Sequence, residues 1–199
     1  MRITKTNDLF QANVLLILGL FSLSIFGVLP LTSKAQTPHF EKVDFTSIQK
    51  EKFTLQIPDY LVETDDLDPR ALLQMKNILN ETYLMVVPEP KTHTLGLQQL
   101  RAQFEANLFS KGGAIDDRRE MKIKNEDAFQ YEVVWRVGDE TLAYLITFVD
   151  TPTTLYKIYG WTLASQKNYL NDFRKSVASF CTGDFRAALA VAPNSKLKE

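Results

Sequence analysis

The side chains best suited to chemistry are scarce in this sequence. The chain of 199 residues carries two histidines, His39 and His93, and one cysteine, Cys181. A zinc site needs ligands at close spacing, and neither histidine has them. A serine hydrolase needs a nucleophile presented beside a histidine, yet no Gly-x-Ser-x-Gly elbow occurs. His93, in the loop between Pro88 and Thr94, is the one residue on which an envelope hydrolase would rest. Its plainer reading is a solvated loop histidine. Cys181 paired with either histidine would make a thiol nucleophile. It follows Phe180 at the end of an amphipathic stretch, however, and a small, buried, inert thiol is expected there. Glu63, Asp65, Asp66 and Asp68 form an acidic run that would attract calcium. Calcium loops need a turn glycine and a closing carboxylate at set positions, and here Leu67 and Pro69 interrupt the run. It reads as a solvated acidic loop.

Three further patterns carry no chemistry. Asp116-Asp117-Arg118-Arg119 reads as exposed mixed charge. Gly112-Gly113 lacks the lysine of a phosphate loop and reads as a helix stop. Asn80-Glu81-Thr82 fits a glycosylation sequon, which would mean nothing in a bacterial envelope protein. No catalytic, cofactor-binding or metal-binding residue is therefore assigned, and no cofactor is expected. The remaining signal is aromatic. Tyr159 and Trp161 form either a docking surface for a partner or apolar ligand, or a second small core beneath a helix.

The elements that position these residues centre on Ala128–Phe180. Phe129, Tyr131, Val133, Trp135 and Val137 alternate with polar residues, the mark of a half-buried strand. Gly138-Asp139 suits a two-residue hairpin loop. That loop pairs Val137 with Glu140, Trp135 with Leu142, Tyr131 with Ile146 and Phe129 with Phe148. A second turn at Asp150–Thr153 leads to a third strand ending at Trp161. Pairing Phe148 with Tyr156, Ile146 with Ile158 and Tyr144 with Gly160 keeps Lys157 off the first apolar face. Leu155, Tyr159 and Trp161 then lie beside Ala143, Leu145 and Val149, so both faces of the sheet are apolar and each needs a cover. The pattern predicts helices over Gly96–Ser110, with Leu97, Leu100, Phe104 and Leu108 on one stripe, and over Ser165–Phe180, with Ser165 as N-cap. One helix on each face is the simplest arrangement.

Earlier in the chain, Gln36–Asp44 reads as a linker, and Phe45–Ile48 with Phe53–Ile57 as a short hairpin. Leu61–Pro69 is irregular, and Ala71–Asn77 fits either a helix or a poor strand. A strand from Asn80 stops at Pro88. Ile115–Ile123 is a further strand.

The N-terminus reads as a targeting segment. Arg2 and Lys5 precede an apolar run from Val14 to Leu31, and Ser33-Lys34-Ala35 offers the small residues of a cleavage site. Residues 1–35 are expected to be a signal peptide, 36–183 one domain, and 184–199 a loosely packed tail. The apolar run exceeds the roughly 7–15 residues of a usual signal core, so a retained membrane anchor is the alternative. Losing Arg2, Lys5, Lys34 and Asp8, three cations and one anion, moves the formal charge from −1 to −3. Such a surface has no general attraction for nucleic acid or acidic lipid. A single cysteine excludes an internal disulfide. These features point to an exported, periplasmic or extracellular domain.

Phe53-Thr54-Leu55-Gln56-Ile57-Pro58-Asp59, Tyr159-Gly160-Trp161 and the run from Phe173 to Ser179-Phe180 resemble the PsbP/DcrB-like superfamily. The order of elements matches as well: early strands, one helix, a strand meander and a terminal helix. The resemblance implies an α+β fold with an antiparallel sheet sandwiched between helices. It also implies a non-catalytic accessory module that engages a protein partner in the cell envelope. A carrier of an apolar ligand is the alternative role. No binding residue of the superfamily maps onto a distinct motif here.

Overall fold

The computed structural model describes residues 37–46, 52–91 and 96–183. The expected leader and its cleavage point, the turn at Gln49–Glu51, His93 and the tail from Asp184 lie outside the described residues. The strands are β1 (Phe40–Thr46), β2 (Lys52–Pro58), β3 (Val62–Glu63), β4 (Leu73–Asn77) and β5 (Thr82–Pro90), followed after helix α1 (Leu97–Ser110) by β6 (Ala114–Ile123), β7 (Glu126–Val137), β8 (Glu140–Asp150) and β9 (Thr154–Leu163). A 3-10 helix (Ala164–Tyr169) then leads into α2 (Leu170–Ser179), and β10 (Cys181–Thr182) follows. All strand pairs are antiparallel. Seven strands form one sheet in the order β3-β4-β5-β9-β8-β7-β6, and three form a second, β1-β2-β10.

The central hairpin has the expected register. Val137 faces Glu140, Trp135 faces Leu142, Tyr131 faces Ile146 and Phe129 faces Phe148. Gly138 takes φ 60° in the tight turn, a conformation a side chain would disfavour.

The next pairing differs from expectation by one residue. Phe148 faces Lys157, Ile146 faces Tyr159 and Tyr144 faces Trp161. Tyr159 and Trp161 thus share the face of Tyr131 and Phe148, and not that of Ala143. Two features explain the shift. Thr151 and Thr154 close the connecting loop, with the Thr151 hydroxyl donating to the Thr154 carbonyl at 2.7 Å and accepting from its amide at 3.1 Å. Gly160 must also lie on the side of α2, because a Cβ there would sit 2.5 Å from the Phe173 ring. The lysine that argued against this register is tolerated because Glu89, on neighbouring β5, pairs with the Lys157 ammonium.

Other elements also depart from the pattern. β1 occupies most of the expected linker, with Val43 opposite Leu55 and Phe45 stacked on Phe53 at 5.2 Å. The ambiguous stretch after Ala71 is a strand over Leu73–Asn77. β5 runs through Pro88 to Pro90. The Val86 carbonyl accepts from Leu72, so even-numbered residues of β5 direct their backbone groups toward the β4 side. β4 starts only opposite Val86, so the two prolines meet an open edge and interrupt no ladder. Ser165 is not an N-cap. It lies in the 3-10 helix, and α2 begins after Tyr169 with no side-chain cap.

Glycine ends α1 as expected. Gly112 has φ 77°, its amide bonds the Phe109 carbonyl, and that of Gly113 bonds Leu108, each at 3.0 Å. Cys181 is half-buried, not buried. It begins β10 opposite Thr54, and Phe180 takes the core position instead.

The core divides by sheet face. On one face, Leu84, Val86, Leu145, Val149, Tyr156 and Ile158 pack with Phe53, Leu55 and Ile57 of β2 and with Leu170, Phe173 and Val177 of α2. On the other, Phe129, Tyr131, Val133, Ile146 and Phe148 pack with Leu97, Leu100, Phe104 and Leu108 of α1. A smaller cluster on this second face joins Tyr83, Met85, Val87 and Trp161 to Leu67 and Ala71.

Gly160→Ala is expected to destabilise the fold by ~1–3 kcal/mol through overpacking against Phe173. A denaturant midpoint equal to wild type would show that α2 does not press on β9 as described.

Candidate functional site

Side chains from four adjacent strands build an aromatic row on the second face. Tyr83 of β5 stacks on Trp161 of β9, with centroids 4.9 Å and planes 13° apart. Trp161 stacks on Tyr144 of β8 at 6.1 Å and 21°, and Tyr144 meets Trp135 of β7 at 6.5 Å. The first two contacts are direct cross-strand pairs in the ladders. Above these rings lies a cavity of about 620 Å³. Met85, Val87, Ile146, Tyr159 and Trp161 line its floor, Phe104, Asn107 and Leu108 of α1 with Lys111 just beyond the helix one wall, and Asp68–Leu72 another.

Each wall is tied to the sheet by a polar anchor. The Glu105 carboxylate on α1 accepts a hydrogen bond from the Tyr131 hydroxyl at 2.9 Å and from Arg101 Nε at 3.0 Å. Burial pushes its pKa up, but these bonds outweigh burial and hold the carboxylate below its usual range. Burial, and then the bond to Glu105, raises the Tyr131 phenol.

The opposite wall depends on Asp68, which is only 4% exposed. Its carboxylate accepts from the Arg70 amide at 2.9 Å and from the Arg70 guanidinium at 3.0 and 2.7 Å. The amides of Leu67 and Asp68 both donate to Gln74 Oε1, at 2.7 and 2.9 Å, which fastens the loop to β4. Burial again opposes ionisation of Asp68, and the Arg70 bonds overcome it, leaving the pKa lowered. The expected solvated acidic loop is thus corrected at Asp68. Glu63, Asp65 and Asp66 are exposed, with Asp66 paired to Lys76.

Of the residues singled out in the sequence, Tyr159 and Trp161 come together in this cavity. His39, exposed at the start of β1, and Cys181 belong to the segments of the small sheet and do not line it. Among the described residues, no three His, Cys, Asp or Glu side chains gather as a metal site. Trp135, Tyr144 and Lys157 were missed. The i, i+2 spacing of strands marked their alternation, but only the correct β8–β9 register brings Tyr144 beside Trp161.

The covering of Trp161 also differs from expectation. The indole is 7% exposed, but it is enclosed by Tyr83, Tyr144 and the Leu67–Ala71 loop. Trp161→Ala is expected to cost ~3–5 kcal/mol, as other large-to-Ala changes in cores do, and the denaturant midpoint measures it. A pH dependence follows from Asp68. Its folded pKa lies below the ordinary 3.8, so its stabilisation is present above that value and is lost as pH falls through the folded pKa. The stability gap between wild type and Asp68→Asn should therefore narrow on acidification below 3.8. A gap that stays constant would remove Asp68 as the loop anchor.

No protein-family model and no curated protein matches the sequence. Solved structures do. Cyanobacterial PsbP (CyanoP) from Synechocystis sp. PCC 6803 is similar with a TM-score of 0.55 and 14% identity, over 77% of this chain and 99% of that one. LpqN of Mycobacterium tuberculosis, described as involved in cell envelope biogenesis, is similar with a TM-score of 0.58 and 11% identity, over 73% and 92%. The Saccharomyces cerevisiae Ran-binding protein Mog1p gives 0.53 and 9%, over 75% and 98%. At such identities the likeness is one of fold, and the chain has a PsbP-like fold.

Proposed function

We propose that this protein is an exported, non-catalytic binding module, and that the cavity over Trp135, Tyr144, Tyr159 and Trp161 is its binding site. In this reading the seven-stranded sheet is a middle layer, with α1 on one face and α2 with the small sheet on the other. The observation that carries the proposal is the cavity itself. Its volume of about 620 Å³ falls within the ~300–1,000 Å³ of ordinary ligand sites, and its lining is mostly apolar and aromatic with a few polar groups. That combination suits retention of an apolar ligand better than bond-making, because among the described residues no nucleophile and base converge on it. The fold shared with an envelope-biogenesis protein is consistent with export and an accessory role.

A protein partner is the second reading, favoured by a different observation. Val62, Ile78 and Leu79 are 59%, 66% and 93% exposed. They lie on β3 and in the β4–β5 turn, where contact with another protein would cover them.

Mass spectrometry of the native protein from its own envelope tests both export and binding. Under denaturing conditions the mature chain should begin at Gln36. Under native conditions it should carry a solvent-extractable apolar adduct. A retained leader would make it a membrane-anchored protein. An adduct-free chain that co-purifies with a protein would favour the Val62–Leu79 surface over the cavity.

A further inference from the structure

The chemistry of the cavity narrows what it takes, on the reading that the cavity binds an apolar ligand. Five ionisable side chains border it: Asp68, Arg70, Glu89, Lys111 and Lys157. Four are already matched. Arg70 pairs with Asp68 at 2.7 Å, and Lys157 pairs with Glu89. Lys111, at the C-terminal end of α1, is not free either. A ligand carboxylate or ammonium would have to break one of these pairs or enter an apolar space unpaired, and either is costly.

Two polar groups on the floor are in the opposite condition. Tyr144 and Tyr159 both line the cavity, and neither phenol has a hydrogen-bond partner among the described residues. Tyr144 faces Trp161 and Tyr159 faces Ile146, so the two tyrosines are diagonal neighbours on adjacent strands of one face. Burial raises both phenol pKa values, so both remain protonated donors across the physiological range. Trp135, Ile146, Trp161 and Met85 supply apolar surface around their rings, while Asp68, Arg70 and Glu89 act on the Tyr159 phenol through their charges and are not hydrogen-bonded to it.

We infer that the cavity selects an uncharged apolar molecule bearing a carbonyl oxygen, which accepts hydrogen bonds from Tyr144 and Tyr159 while its hydrocarbon part lies against α1. An acyl ester and an alkyl-substituted quinone share this chemistry.

Both tryptophans of the chain, Trp135 and Trp161, line the cavity, so intrinsic fluorescence of the full-length protein reports on this site directly. Four probes of similar chain length separate the possibilities: methyl undecanoate, decyl-benzoquinone, undecane and undecanoate. At least one neutral carbonyl probe should bind about tenfold more tightly than undecane or undecanoate, the scale of one to two added hydrogen bonds. The tighter of the ester and the quinone identifies the source of the carbonyl. The Tyr144→Phe/Tyr159→Phe variant keeps both rings, and it should lower carbonyl-probe affinity to that of undecane while leaving undecane binding unchanged. Equal binding of undecane and the ester, tighter binding of undecanoate, or full affinity in the double variant would each overturn the carbonyl assignment and leave the apolar cavity standing. Failure of all four probes to change the fluorescence would overturn the cavity reading itself.

Discussion

The contact between Gly160 and Phe173 is the constraint on which the rest of the molecule depends. Phe173 is fully buried on α2 and lies where a side chain on residue 160 would be. Only glycine lets the helix approach β9 this closely. With Gly160 turned toward α2, alternation sends Tyr159 and Trp161 to the opposite face. Their neighbours there are Met85 and Tyr83 on one side and Ile146 and Tyr144 on the other. The aromatic row, and the cavity above it, follow from that orientation. The stretches Tyr159-Gly160-Trp161 and Phe173–Phe180, which carried the resemblance, are the two sides of this contact.

The cavity exists because two covers reach the second face from different directions. α1 packs over Phe129, Tyr131 and Phe148, while the loop through Leu67 and Ala71 packs over Tyr83 and Trp161. Each cover is held by polar contacts: Glu105 ties α1 to Tyr131 of the sheet, and Gln74 ties down the loop, which Asp68 and Arg70 brace internally. A buried charge stripped of its partner is strongly unfavourable, so these anchors resist collapse of the walls into the gap. Packing alone would favour closing it.

The first face is covered differently. Phe53, Leu55 and Ile57 of β2 share its core with α2, and β10 extends that small sheet directly after the helix. Glu132, buried in the large sheet, pairs with Arg174 of α2 and lies 3.4 Å from Lys167 of the preceding 3-10 helix. Apolar area supplies most of the cohesion here, and this charge cluster adds direction by fixing how α2 lies across β7.

Much of the fold was legible in the sequence because it is written in local periodicity. The β7–β8 hairpin register, the stripe of α1 and its stop at Gly112-Gly113 each depend on residues close in the chain, and each was read correctly. The apolar character of both sheet faces was legible for the same reason. What local pattern could not decide was any pairing whose energy comes from a distant strand. Lys157 looked unfit for an apolar face because its partner, Glu89, is far away in sequence. That one misjudgement moved Trp161 to the wrong face and hid Tyr144 as its neighbour. Asp68 read as solvated because nothing near it in the chain showed that Gln74 and Ala71 would fold the loop onto the sheet. The sequence by itself determined the strands of the β7–β8–β9 meander, the helix α1 and which residues are apolar. Tertiary structure alone decided where those surfaces meet and where they leave a gap, because register between β8 and β9 is set by the fit of Gly160 beneath Phe173 and by neutralisation of Lys157 across strands.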